Sequence, residues 1–214
     1  MSAGRKSETP QFWIIAGPNG SGKSTLYGSS RDAAFGNALI FDDAQPFRII
    51  NPDLLASRIR AAERISANAA NLEAVKRIET WLSASIDVHE SIGVETVLST
   101  DKYRRLVRTA KTKGFEIRLV YVILQNPELN VARVKLRVRK GGHNVPSAKI
   151  RQRWDRSLEQ LPWFLDEADW ALLLDNSVDL RVIGRKENGV VTLDPGALAS
   201  IRDAVQKIEP AKRK

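Results

Sequence analysis

The 214-residue chain has no cysteine and only two histidines, His89 and His143. The first absence removes disulfides, thiol nucleophiles and Cys-ligated zinc together; the second argues against a His-rich metal site. No apolar run approaches the roughly 20 residues that a membrane span needs. The opening MSAGRKSETPQ is polar and lacks the apolar centre of a secretion signal, so a cytoplasmic protein without membrane contact is expected. Linkers, repeats and low-complexity segments are missing as well. Apart from a polar tail at 1–10 and a basic tail at 209–214, residues 11–208 read as a single domain, as the length suggests.

Two signatures of nucleotide hydrolases are also absent. There is no N-K-x-D guanine motif and no LSGGQ-like stretch. Asp166-Glu167-Ala168-Asp169 spells the DEAD of a helicase, but it precedes the apolar run WALLLD instead of ending one. Too little chain then follows for a second motor domain.

What the sequence does have is positive charge, +9 overall. Between Arg133 and Arg156 nine Lys and Arg face one acid, Asp155. A second basic stretch follows Asp101, and the chain ends AKRK. Such runs are ordinarily solvated helix faces, yet a field of this sign attracts phosphorylated partners, nucleotide or nucleic acid.

Apolar runs alternate with helical patterns. Strands are expected at 12–16, 48–50, 94–98, 115–124 and 170–174, with a hairpin over 180–193 turning at KENG. Helices are expected at 23–29, from 53 to about 89 with a break at 66–70, after Asp101 as far as Gly114, on both sides of GGHNVP (141–146), and at 195–208. This alternation predicts an α/β three-layer sandwich: a mostly parallel sheet of five or six strands with helices on both faces.

Gly17-Pro18-Asn19-Gly20-Ser21-Gly22-Lys23-Ser24 fits G-x-x-x-x-G-K-[ST], and it sits between an apolar strand and a helix. Glycines let successive N–H groups turn inward around an anion, and the helix dipole adds to the attraction. Gly17 to Thr25 therefore form a candidate nucleoside triphosphate site, with Lys23 reaching the terminal phosphates and the Ser24 hydroxyl available to Mg²⁺.

In IINPDLLA (49–56), Asn51 reads as a helix cap, Pro52 as the first helical residue and Asp53 as part of the first turn. Asp53 either only favours the helix dipole or serves as a general base toward an acceptor hydroxyl; next to a P-loop the base is the preferred reading. Glu95 interrupts the apolar strand VETVL, where an unpaired carboxylate is costly. It either lies close to the strand end, pairs with an arginine, or faces the crevice to hold a substrate hydroxyl or help position Mg²⁺. Ser99 and Thr100 follow it as hydrogen-bond donors. Over 129–140, Val131, Val134 and Val138 share one helical stripe and Arg133, Arg137 and Lys140 the opposite one. In the next helix Ile150, Trp154 and Leu158 are apolar, Arg153 and Arg156 share another face, and Arg151 is expected to pair with Asp155. His143 lies in a loop between the two basic helices and is a candidate ligand contact. Together these segments suggest an Arg-rich helical lid over about 129–160.

The ordered set of P-loop, NPD at the second strand, Glu in the third, PELNVARVKLRVRKGGHNVP, and DNS after the last core strand resembles the zeta toxin family of P-loop kinases over residues 12–178. That resemblance implies ATP- and Mg²⁺-dependent phosphorylation of UDP-N-acetylglucosamine on its amino sugar, and an antitoxin protein as partner. It implies Lys23 as the phosphate-binding lysine, Asp53 as base, Glu95 as a substrate-binding carboxylate and Arg137 as a lid arginine. Asn176 of DNS would lie near the adenine. The 137–146 segment is shorter than in well-known zeta toxins, and His143 stands where those carry a second arginine. Arg133, Arg139, His143, Arg151 and Arg153 are the candidates to complete the lid, and Thr100, Arg133, His143 and Arg153 join Glu95 as substrate-side candidates.

The expected function is thus a small-molecule kinase of zeta-toxin type acting on a UDP-sugar or similar acceptor. A nucleic-acid end kinase and a non-catalytic nucleotide-binding partner protein are the alternatives.

Overall fold

A computed structural model describes residues 9–26 and 48–208. Five apolar runs pair in parallel: β1 (Gln11–Ala16), β2 (Arg48–Ile50), β3 (Ile92–Thr96), β4 (Glu116–Ile123) and β5 (Trp170–Asp175). The hairpin strands β6 (Arg181–Glu187) and β7 (Val190–Leu193) continue the sheet antiparallel, giving the order β2-β3-β1-β4-β5-β6-β7. The sheet thus has seven strands where five or six were expected, because both arms of the hairpin join its edge. Asn188 and Gly189 turn that hairpin at positive φ (51° and 78°), the backbone that an Asn-Gly pair adopts most readily.

Seven described helices complete the order: α1 (Lys23–Leu26), α2 (Pro52–Glu63), α3 (Ala67–Asp87), α4 (Arg104–Thr112), α5 (Pro127–Arg139), α6 (Ser147–Glu167) and α7 (Ala199–Gln206). The expected continuation of α1 to Ser29 and the tails at 1–8 and 209–214 lie outside the described residues. The starts of α2, α3 and α5 follow from side-chain caps. Asn51, Ser66 and Asn126 accept from the N–H of Leu54, Ala69 and Leu129, and Pro52 and Pro127 occupy first-turn positions. Arg64, at φ 54°, ends α2, so the break falls at 64–66, slightly ahead of the expected 66–70.

Because β1 is covered on both sides, its residues divide by alternation. Phe12, Ile14 and Ala16 join the larger core with Leu82 of α3, Val107 of α4, Phe164 of α6 and Ile201 of α7. Trp13 and Ile15 face the opposite side with Val120, Val122, Leu172, Leu174 and Leu26 of α1. Among the described residues no helix is long and apolar enough to cross a membrane.

The third strand corrects the sequence reading. It runs over Ile92–Thr96 instead of 94–98. The Thr96 hydroxyl accepts from the Leu98 N–H at 3.0 Å and Leu98 has φ 57°, so the chain leaves the sheet after Thr96. Gly93 disguised the true start, since glycine weakens a strand pattern. Glu95 therefore sits one residue before the carboxyl end of β3, on the rim where ligands of open α/β sheets bind. Ile14 lies at the centre of β1 and is 1% exposed, so Ile14→Ala is expected to lower stability by about 2–5 kcal/mol, read from the urea unfolding midpoint.

Candidate active site

The P-loop takes its shape from what surrounds each glycine. Gly17 has φ 138°, and a Cβ there would lie 2.0 Å from the Val122 carbonyl oxygen of β4. Gly22 has φ 103°, and its Cβ would meet Asn176 Nδ2 at 2.3 Å. Both positions require glycine for backbone conformation and for close approach. Two asparagines then hold the loop from outside. Asn130 of α5, fully buried, donates to the Asn19 carbonyl at 2.8 Å, and Asn176 after β5 donates to the Ser21 carbonyl at 2.8 Å.

Lys23 is buried and folds back on its own loop, donating to the carbonyls of Gly17 (2.7 Å) and Pro18 (3.0 Å). Glu95 Oε1 lies 3.9 Å from its ammonium. Burial holds Lys23 below the ordinary lysine range; Glu95 and Asp53 pull it back up, and Arg137 adds to the depression. An arriving polyphosphate would reverse the depression, because its charge favours the ammonium form.

On the other side of Glu95, Oε2 accepts from Ser24 Oγ at 2.7 Å and from Asn51 Nδ2 at 2.8 Å. Asp53, exposed in the first turn of α2, lines two adjoining cavities. The first, about 650 Å³, is bounded by Asn19, Gly20 and Gly22 to Leu26 of the P-loop and α1, by Arg133 and Arg137, and by Asn176 with Val178 to Leu180. The second, about 300 Å³, is bounded by Asn51 to Asp53, Glu95 to Thr100, Lys102 and Arg153. Asn19, Asp53, Glu95 and Val97 border both.

The arginines of α5 and α6 divide between these cavities. Arg133 borders the first cavity and donates to the carbonyls of Asn176 (2.6 Å) and Ser177 (3.3 Å). Arg137 borders the same cavity and donates to the His143 carbonyl at 2.8 Å, while its Nε is buried with no hydrogen-bond partner. Gly142 makes this possible, since a Cβ there would come within 2.6 Å of Arg137 Cγ. Arg153 borders the second cavity and donates to Asn19 Oδ1 at 3.1 Å. The His143 ring is exposed and lines neither cavity; its carbonyl is what reaches the site. Arg139 is exposed. Arg151 does not pair with Asp155 as expected: it makes two hydrogen bonds to Glu128 of α5, at 2.7 and 2.9 Å, because α5 and α6 are joined through Val131, Val134, Val145 and Ile150. Thr100 lies exposed on the rim of the second cavity.

Asn130 is a site residue that sequence reasoning missed. A polar residue between Leu129 and Val131 on an otherwise valine-lined helix face was the available signal. The DNS segment is more elaborate than its sequence suggested. Asp175, 4% exposed, accepts from Ser177 N–H and Oγ and from Arg181, and Ser177 Oγ accepts from Gln125 N–H.

The same arrangement of strands and helices occurs in known proteins. A chain of the PezAT chromosomal toxin–antitoxin system of Streptococcus pneumoniae superposes with TM-score 0.62 at 16% identity, over 96% of this chain and 80% of that one. A chain of the AvrRxo1-ORF1:ORF2 complex, solved with ATP, superposes with TM-score 0.66 at 14% identity, over 97% of this chain and 67% of that one. Identities this low show a shared fold. An uncharacterised Haemophilus influenzae protein is 29% identical over 151 residues, 67% of this chain and 97% of its own length. The sequence profile named Zeta toxin matches residues 2–168, most of the chain and all of the site up to α6. This chain belongs to the zeta toxin family.

Proposed function

We propose that the protein is an ATP- and Mg²⁺-dependent kinase that transfers the γ-phosphoryl group to a hydroxyl of a small molecule. The observation that carries this reading is the position of Asp53, which borders both the P-loop cavity and the smaller polar cavity beside it. A triphosphate in the first cavity and an alcohol in the second would meet at that carboxylate. The ATP-bound neighbour of the same fold supports the choice of nucleotide.

Asp53 accepts the proton of the acceptor hydroxyl as its oxygen forms a bond to the γ-phosphorus. The bond from that phosphorus to the β,γ-bridging oxygen breaks, and ADP leaves with the electron pair. Lys23 and Arg137 stabilise the charge on the phosphoryl oxygens during transfer, which requires Lys23 to exchange the Gly17 and Pro18 carbonyls for phosphate. The Ser24 hydroxyl and Glu95 carboxylate, 2.7 Å apart at the mouth of the loop, are an oxygen pair of the kind that holds Mg²⁺ alongside phosphates and waters. The ion, when bound, neutralises phosphate charge.

Within the family resemblance, UDP-N-acetylglucosamine is the acceptor we favour. Lys102 and Arg153 beside the second cavity suit its diphosphate. Thr100 at the rim is a hydrogen-bond donor to such a ligand. An antitoxin partner is the corresponding proposal on the protein side, supported by the toxin–antitoxin system in which the PezAT neighbour occurs.

Incubation with γ-labelled ATP and either UDP-N-acetylglucosamine or a bacterial metabolite extract, with mass identification of the labelled product, tests both halves. Lys23→Ala and Asp53→Ala are each expected to lower transfer by about 10²–10⁴-fold. Asp53→Ala retains ATP binding; full activity in that variant would remove Asp53 as the base. Lys111, Lys113 and Arg151 of the basic stretches are paired with Glu167, Asp87 and Glu128, which lowers the charge they can offer to a nucleic-acid backbone. Single-stranded oligonucleotides are therefore expected to bind no tighter than ~10⁻⁴ M at physiological salt, the weak end of non-specific binding, as measured by fluorescence anisotropy across a salt series.

A further inference from the structure

Asn51 entered the sequence reading only as a helix cap. In the structure both ends of its side-chain amide are engaged. Oδ1 accepts from the Leu54 N–H at 3.1 Å, closing the first turn of α2, the turn that carries Asp53. Nδ2 donates to Glu95 Oε2 at 2.8 Å and lies 3.3 Å from Ser24 Oγ. The amide has one workable orientation here, since the reverse would turn its oxygen toward a carboxylate and its NH₂ toward a backbone N–H. Asn51 follows β2, Glu95 is near the end of β3, and Ser24 lies in α1 beyond β1. These three strands are neighbours in the order β2-β3-β1, so the triangle of polar atoms joins their carboxyl ends.

We propose that Asn51 is a positioning residue that couples the nucleotide side of the site to the base. Resting on the kinase reading above, the inference is that occupation of the Ser24–Glu95 pair by the metal–nucleotide complex fixes the Glu95 carboxylate. The Asn51 amide then locks the first turn of α2, and Asp53 with it, in register with the γ-phosphate. A cap that made no second contact would hold α2 equally well with or without nucleotide. The bond to Glu95 makes the base's position depend on what Glu95 holds.

The test separates the cap from the coupling. Ser and Thr also cap helices well, but their single hydroxyl cannot both accept from Leu54 and reach Glu95. Asn51→Ser and Asn51→Thr thus keep the cap and lose the coupling, whereas Asn51→Ala loses both. Hydrogen–deuterium exchange is followed in the full chain over a peptide covering residues 51–58, with MgATP, with ATP in EDTA, and without nucleotide. MgATP binding is measured on the same samples with a fluorescent analogue. In the wild type MgATP should slow exchange in this peptide by about tenfold, the effect of one hydrogen bond to a charged group on a local opening equilibrium, and ATP in EDTA should not. In Asn51→Ser and Asn51→Thr the nucleotide-free exchange should stay near wild type and the MgATP response should vanish, with MgATP still bound. In the transfer assay these two variants should lose kcat by about tenfold at unchanged KM for ATP. A full MgATP response in either cap-retaining variant overturns the proposal, as does a wild type that binds MgATP without any response at residues 51–58. A wild type that does not bind MgATP overturns the kinase reading itself, and the coupling with it.

Discussion

A single ammonium group sets the terms for the rest of this site. Lys23 is 5% exposed, and its carboxylate partner, Glu95, stands 3.9 Å away. A buried charge so weakly compensated is costly, and here two loop carbonyls carry most of the contact. The loop can offer those carbonyls only because Gly17 and Gly22 take conformations and approaches closed to other residues. The glycines, the buried lysine and the incomplete pairing thus form one device. An anion would relieve that electrostatic cost, so in the proposed kinase the loop would favour phosphate before any contact to a nucleobase is made.

How far this could be read from the sequence depended on how local the chemistry is. The P-loop, the cap at Asn51 and the Asn188-Gly189 turn are each specified by residues within a few positions of one another, and all appear where expected. The failures are long-range. Arg151 chose Glu128, 23 positions away, over the helical neighbour Asp155, because packing of α5 against α6 brought a better-placed carboxylate to it. Asn130 reaches Asn19 across 111 positions, a contact no window of sequence reveals. The third strand slipped by two residues because its start contains Gly93 and its end is set by a side-chain bond from Thr96.

The division of the arginines is the other feature that only the assembled fold supplies. Helical angle grouped Arg133 and Arg137 on one stripe, and both border the P-loop cavity. Arg153, from the following helix, borders the second cavity instead, and its bond to the Asn19 side chain anchors it to the wall that both cavities share. Charge is therefore distributed on either side of Asp53. In the proposed kinase one group would face the transferring phosphoryl and the other an anionic acceptor, so two negatively charged reactants could be brought together without a single overloaded cluster.

The DNS segment ties this arrangement to the far end of the sheet. Asp175 is nearly buried and organises Ser177 and Arg181, while the intervening Asn176 sends its amide to the Ser21 carbonyl and its own carbonyl to Arg133. A residue at the end of β5 thus touches both the phosphate loop and the lid helix. Val178, 88% exposed, and Leu180 extend the same segment along the first cavity as an apolar surface, which in the proposed kinase would receive the nucleobase. Displacing Asn176 would release the P-loop and Arg133 together, because both are bonded to that one residue. In the kinase proposed above, recognition of the nucleobase and alignment of the γ-phosphate would therefore be coupled through Asn176, which bonds both the P-loop and Arg133 beside the surface of Val178 and Leu180.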